Sequence, residues 1–226
     1  MRSIVGVSLL LCASGGGGCT NDDGPAFYVT GLVSPAGTTC TVSAGSAILA
    51  LGQLNVQFAD SYYMFPRYRN QVISNAGTSP LRSDPAGIYV LGAEIELQNA
   101  AGGRLLFGRN LPNPYTVPAA DFVPPAGGVG GSTTEVGVVQ AIPPDYMPEL
   151  DALLARRDRG AMLISLNVFG ETVGGTDIEA REFLWPLQLC RGGCLFTCSD
   201  TTTGTCCLAG QDQLCEIPSD DPACTP

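Results

Sequence analysis

The chain has 226 residues, with 21 acidic side chains against 11 basic ones, and a net charge of −10. Every basic residue is arginine; neither lysine nor histidine occurs. These absences exclude Ser-His-Asp and Cys-His catalysis, imidazole metal ligation, Schiff-base chemistry and the P-loop lysine. The acidic surplus also argues against a nucleic-acid partner, because such binding draws on a clustered basic surface.

The opening MRSIVGVSLLLCASGGGGCTNDDG places Arg2 before an apolar run from Ile4 to Ala13, followed by small residues. This is the pattern of a signal peptide over residues 1–18, too short to stay in a bilayer as a spanning helix. Here the sequence resembles bacterial lipoproteins, in which a cysteine after small residues is acylated and becomes the first residue of the mature chain. The resemblance puts that role on Cys19, preceded by Gly18 and followed by a polar tether over residues 19–26. Gly16 stands where the family usually has Leu, and plain secretory cleavage near Ala13 or Gly15 is the alternative. Cys12 lies inside the apolar run, after Leu11, and is the poorer candidate. Acyl chains contribute about 0.8 kcal/mol per buried methylene, and stable anchoring needs more than one chain. The family's several chains would meet that condition and make the membrane a partner through lipid. Thr20, rather than Asp, follows the cysteine, and in that family this implies the outer membrane.

From residue 27 to 190 the chain predicts an all-β domain. Leu54, Val56 and Phe58 alternate with Gln53, Asn55 and Gln57, which marks a strand with one wet face. The same period runs through Ile88–Leu97, through Met162, Ile164, Leu166 and Val168, and through Phe183, Trp185, Leu187 and Leu189. Further strands are expected at Phe27–Val33, Tyr62–Ile73 and Val136–Ile142. Gly174 and Gly175 are expected to supply positive φ in a hairpin turn. Pro66 and Pro186 cannot donate to a ladder, so their strands should be edges or bend there. PPDYMPELDALLARRDRG predicts a short helix with Met147, Leu150, Leu153 and Leu154 on its apolar side, Pro148 in its first turn and arginines near its end. Together these elements predict an immunoglobulin-like antiparallel β-sandwich with one short helix.

The helix with its Leu pairs, the hairpin ISLNVFGETVGGTDIEAREFLWPL and the stretch PYTVPAADFVPP resemble the bacterial sandwich domains related to late-embryogenesis-abundant type 2 proteins. The Asn-Pro-rich signature strand of that family has no counterpart here. The chain is also similar to lipoproteins of large-genome Gram-negative bacteria, a likeness that implies no activity.

Several residue groups invite a chemical reading. Glu94 and Glu96 pair two carboxylates on one strand face, as a glycosidase would, although alternation puts them on the solvated side. The run SYYMFPRYRN gathers Tyr62, Tyr63, Phe65, Arg67, Tyr68 and Arg69, a composition common at binding hot spots; a core strand covered by arginine stems has the same composition. Asp200–Gly204 (DTTTG) has two threonines too many for an aspartic-protease motif. The pairs Asp22-Asp23 and Asp220-Asp221 lack calcium-loop spacing.

Of the 10 cysteines, Cys12 leaves with the signal and Cys19 is acylated, so eight remain: Cys40, Cys190, Cys194, Cys198, Cys206, Cys207, Cys215 and Cys224. An even number suits a disulfide framework in an oxidising compartment. The last seven, in a tail over residues 191–226 and the strand end before it, cannot pair among themselves. Cys40 is therefore expected to bond a tail cysteine, with Cys190 or Cys194 favoured, closing a loop of about 150 residues. Adjacent Cys206 and Cys207 should take different partners, because a trans peptide holds their Cα atoms about 3.8 Å apart. No C-x2-C pair and no His accompany these cysteines, so neither a metal site nor a redox centre is expected. The expectation is a non-enzymatic, lipid-anchored envelope protein without cofactor, serving as a structural or binding module for a protein or glycan. The alternatives are a carboxylate-dependent glycan hydrolase and a surface adhesion module.

Overall fold

Alternation of apolar and polar side chains becomes a set of strands, the longer of them buried on one face. The computed structural model describes residues 26–35, 40–73, 85–108, 110–127, 133–155, 157–199 and 207–218. The signal region, Cys12, Cys19, the tether, Asp200–Gly204, Asp220-Asp221, Cys206 and Cys224 lie outside them. No helix among the described residues is long and apolar enough to cross a membrane.

The strands in chain order are β1 (Phe27–Leu32), β2 (Gly52–Asn55), β3 (Tyr62–Met64), β4 (Pro66–Asn70), β5 (Ile88–Asn99), β6 (Tyr115–Val123), β7 (Thr133–Val136) and β8 (Val139–Ile142). A 3-10 turn (Pro144–Tyr146) and helix α1 (Met147–Leu153) follow, then β9 (Arg159–Thr172), β10 (Asp177–Glu179), β11 (Phe183–Cys190), β12 (Phe196–Ser199) and β13 (Cys215–Pro218). The large sheet has the order β2-β11-β9-β5-β6, with β10 also beside β9. Facing it are β1-β4-β7 and the pair β3-β8. One core unites the layers: Phe27, Leu32 and Tyr68 from one side, and Ile88, Ile95, Leu97, Ile164, Leu166 and Trp185 from the other, are all nearly inaccessible. The molecule is thus an all-β sandwich with one short helix and a disulfide-bonded tail.

Two expected strands break, and they break together. Tyr62–Ile73 divides at Phe65, before Pro66, and Val136–Ile142 divides at Gly137-Val138. Because β3 pairs β8 while β4 pairs β7, these are two halves of one ribbon bent where proline and glycine permit it. Pro186, in contrast, sits in an interior strand. It faces Leu163 of β9, while β2 begins its pairing only at Leu187, so the proline lies just beyond the end of the neighbour it could not serve. The pairing is also not wholly antiparallel: β11 runs parallel to β2, and β12 parallel to β13.

The hairpin β9-β10 needs only one positive φ, at Gly175 (82°), rather than two. Thr172 O accepts from Gly175 N (2.8 Å) and Thr172 N donates to Thr176 O (2.8 Å), a three-residue loop whose last position is left-handed. Gly170 is demanded by space instead. A Cβ there would strike the carbonyl of Tyr89 on β5, with its carbonyl carbon only 3.0 Å away. Gly170→Ala is therefore expected to destabilise the fold by about 1–3 kcal/mol, measured as a fall in the urea midpoint.

Helix α1 buries Met147 and Leu150, and Leu154 just past its end, but Leu153 is half exposed. The arginines expected at its C-terminus are not in its last turn; Arg159 already belongs to β9. The cation that reaches the helix end comes from elsewhere. Arg191 pairs with Asp151 at 2.8 Å and extends Nη1 to within 3.5 Å of Leu154 O. Cations are favoured where helix carbonyls lack partners, and the fold supplies one across the end of β11.

Candidate functional site

The cysteines partition into staples. Cys40, Cys190, Cys194, Cys198, Cys207 and Cys215, all the described ones, are disulfide-bonded. Cys40 does reach the tail, but its partner is Cys207 rather than Cys190 or Cys194, with a sequence separation of 167. Cys190 and Cys194 instead bond each other, with Cα atoms 6.3 Å apart. The reason is local: Gly192 adopts φ 66°, and Cys194 N donates to Gly192 O at 2.9 Å, so the chain after β11 curls tightly enough to close on itself.

Of the aromatic and arginine cluster, Tyr62, Phe65 and Tyr68 are buried. Tyr63, Arg67 and Arg69 are half-buried. Arg67 lies along the sheet surface, its Nε donating to Thr30 Oγ1 (2.9 Å) and its Nη1 to Ala44 O (3.4 Å), as an arginine stem covering a strand does. Tyr68 packs against Phe27 with ring centroids 5.6 Å apart. Asp121 lies near Tyr68, and burial raises the Asp121 carboxyl above its ordinary value.

Glu94 is exposed, and Glu96 is held by Arg104, whose Nε and Nη2 donate at 2.9 and 2.5 Å. Those bonds, with that from Gln98, lower the Glu96 pKa. A glycosidase acid needs the opposite displacement.

The tail docks on the free edge of β2 through a polar node that alternation did not reveal. Asn55 N donates to Gly210 O (2.8 Å), Asp212 N donates to Gln53 O (3.0 Å), and Gln53 N donates to Asp212 Oδ1 (2.7 Å). Gln211 inserts its amide beside Tyr63, accepting from Tyr63 N at 2.9 Å and donating to Tyr63 O. Beneath, Trp185 Nε1 donates to Tyr62 Oη (3.0 Å), and that hydroxyl donates to the Asp212 carboxylate (3.2 Å). Burial pushes the Asp212 carboxyl up to about 6, against the bonds from Gln53, Tyr62 and Gln211. Burial and the nearby carboxylate raise the Tyr62 phenol in turn.

An open concavity lies at the other face of the same strands. Gln188 stands opposite Gln53 on one side and Ala161 on the other, and Cys190 stands opposite Asn55 and Arg159. Period two puts Gln53, Gln188, Ala161 and Arg159 on the outer face. There they line a cleft of about 480 Å³ with Gly160, Leu189, Cys190, Cys194 and Leu195. A second concavity of about 540 Å³ shares Arg159 and Cys194 and adds Gln57, Asp158, Arg191, Gly192 and Gly193. Buried Asn55 holds the wall between them: its Nδ2 donates to Gly192 O and Cys194 O, both at 2.8 Å, and its Oδ1 accepts from Gln57 N and Phe58 N. Gly192 N donates to Gln57 Oε1 (3.1 Å).

This cleft is not legible in the sequence, because its residues meet only once β2, β11 and β9 lie side by side. The one signal was weak: both strands show glutamine on the wet face. No family model matches the chain, and no curated protein matches it.

Proposed function

We propose that the protein is an exported, lipid-anchored module of the cell envelope, held to the outer membrane by acyl chains on Cys19, whose sandwich acts as a non-catalytic structural or binding unit. The observation that carries this reading is the complete pairing of the described cysteines, above all Cys40 with Cys207. Such long-range disulfides persist in oxidising compartments and not in the cytosol. The absence of His and Lys supports a non-catalytic role, and the Arg104 clamp on Glu96 keeps that carboxyl ionised, so it cannot serve as the proton donor of a glycosidase pair.

Intact mass of the mature protein tests the reading directly. The expected result is an N-terminus at Cys19 carrying acyl chains, and a gain of about eight hydrogens on reduction as eight cysteines open. An unmodified N-terminus, or free thiols in the unreduced protein, would sink it.

A further inference from the structure

We infer that the cleft at the β2-β11-β9 end of the large sheet binds a short peptide by its free C-terminal carboxylate, Arg159 taking the carboxylate and Gln53 and Gln188 pairing with the peptide groups. This rests on reading the sandwich as a binding unit, but not on the lipid anchor.

Chemistry that the molecule leaves unused is the first support. Among the described residues, the side chains of Gln53, Gln188 and Arg159 have no hydrogen-bond or ion-pair partner in the protein. Electrostatics are the second. In a chain of net charge −10, no carboxylate lines this cleft, and Arg159 is its one charged group. Asp158 borders the neighbouring concavity instead. A guanidinium is a planar fork matched to a carboxylate, so the cleft selects an anion of that shape.

Spacing argues for a peptide rather than a bare anion. Gln53 and Gln188 are register partners on adjacent strands, about 4.8 Å apart, and each amide carries both a donor and an acceptor. A peptide group has the same complement. Arg159 lies two residues, about 7 Å, along β9 from Ala161, which is itself opposite Gln188. One ligand therefore reaches the cation and the amides together only if its carboxylate is followed by at least one peptide unit. Ala161, small and exposed on the outer face, leaves room for main chain, and Leu195 supplies one apolar wall. The Cys190–Cys194 disulfide and the two Asn55 bonds fix that wall before any ligand arrives, which lowers the ordering cost of binding.

Titration calorimetry on the whole oxidised protein tests the inference with N-acetyl-Ala-Ala-Ala as free acid and as C-terminal amide. A third ligand ends in D-Ala-D-Ala, so that a protein C-terminus and a cell-wall peptide, which share this chemistry, are told apart by which stereoisomer binds. The expected result is saturable binding of at least one acid, with its amide about tenfold or more weaker. Arg159→Gln should reduce the acid to the level of the amide, whereas Gln188→Ala should weaken acid and amide alike. Because Arg159 is exposed and unpaired, its variant should melt as the parent does. Equal binding of acid and amide, unchanged affinity in Arg159→Gln, acetate binding as tightly as the peptides, or no saturable binding of any of them would each overturn the inference.

Discussion

Replacing Cys40 and Cys207 together by alanine is expected to lower the unfolding free energy by up to about 5 kcal/mol, the value of the chain-entropy model for a loop of this length. The two residues are 167 apart in sequence, so the crosslink removes a large share of the freedom of the unfolded chain. The Cys190–Cys194 bond spans 4 residues, and the same model assigns it only about 2 kcal/mol. Urea titration of both double variants under oxidising conditions would rank them, and the Cys40–Cys207 variant should also show a steeper denaturant slope, because its unfolded state is less compact. A typical domain is stable by about 5–15 kcal/mol, so the first variant should stand near the threshold of folding. Equal losses from the two variants would contradict this account.

Stability should fall as pH rises through the range from about 4 to 6 because of Asp212. The folded protein holds this carboxyl at about 6, above the ordinary 3.8, so within that window the folded state binds more protons than the unfolded one. Unfolding free energy then decreases with pH. The contribution is fully present below about 4 and is lost once pH passes the folded value, amounting to up to about 3 kcal/mol. Asp212→Asn keeps an acceptor for Gln53 N and Tyr62 Oη and removes the titration. Asp121 is raised as well, with the same sign, while Glu96 is lowered. The difference between parent and variant melts across pH therefore isolates Asp212. A parent curve parallel to that of Asp212→Asn between pH 4 and 6 would refute the claim.

Local pattern revealed the strands and hid their partners. Alternation located β1, β5, β9 and β11 because each buries one face against a single core. It could not show that Tyr62–Ile73 and Val136–Ile142 bend together, since a bend depends on what lies across the ribbon at Phe65 and Gly137. Leu153 fitted the helical period yet points outward, because the helix stops at that residue and Leu154 takes the core position. Parity of the cysteines pointed to Cys40, but the choice of Cys207 followed from the tail lying along β2 and from Gly192 letting Cys190 satisfy itself nearby. Strand β6 and the cleft escaped notice for the same reason: neither has meaning until distant segments are side by side.

The parallel pairing of β2 with β11 has a consequence for how the chain becomes folded. Gly52–Asn55 meets its strand partner only when Leu187–Cys190 exists, and its outer edge is covered by Gly210–Asp212. An unpaired strand edge is a template for association with other chains, and pairings so distant in sequence are slow to form. A chain emerging from its N-terminus must therefore carry β2 open for most of its length. Truncation at Cys190 would keep all five strands of the large sheet's main path while leaving that edge bare. Gly210–Asp212 thus closes an edge that would otherwise be a template for association, and it can do so only after most of the chain has been made.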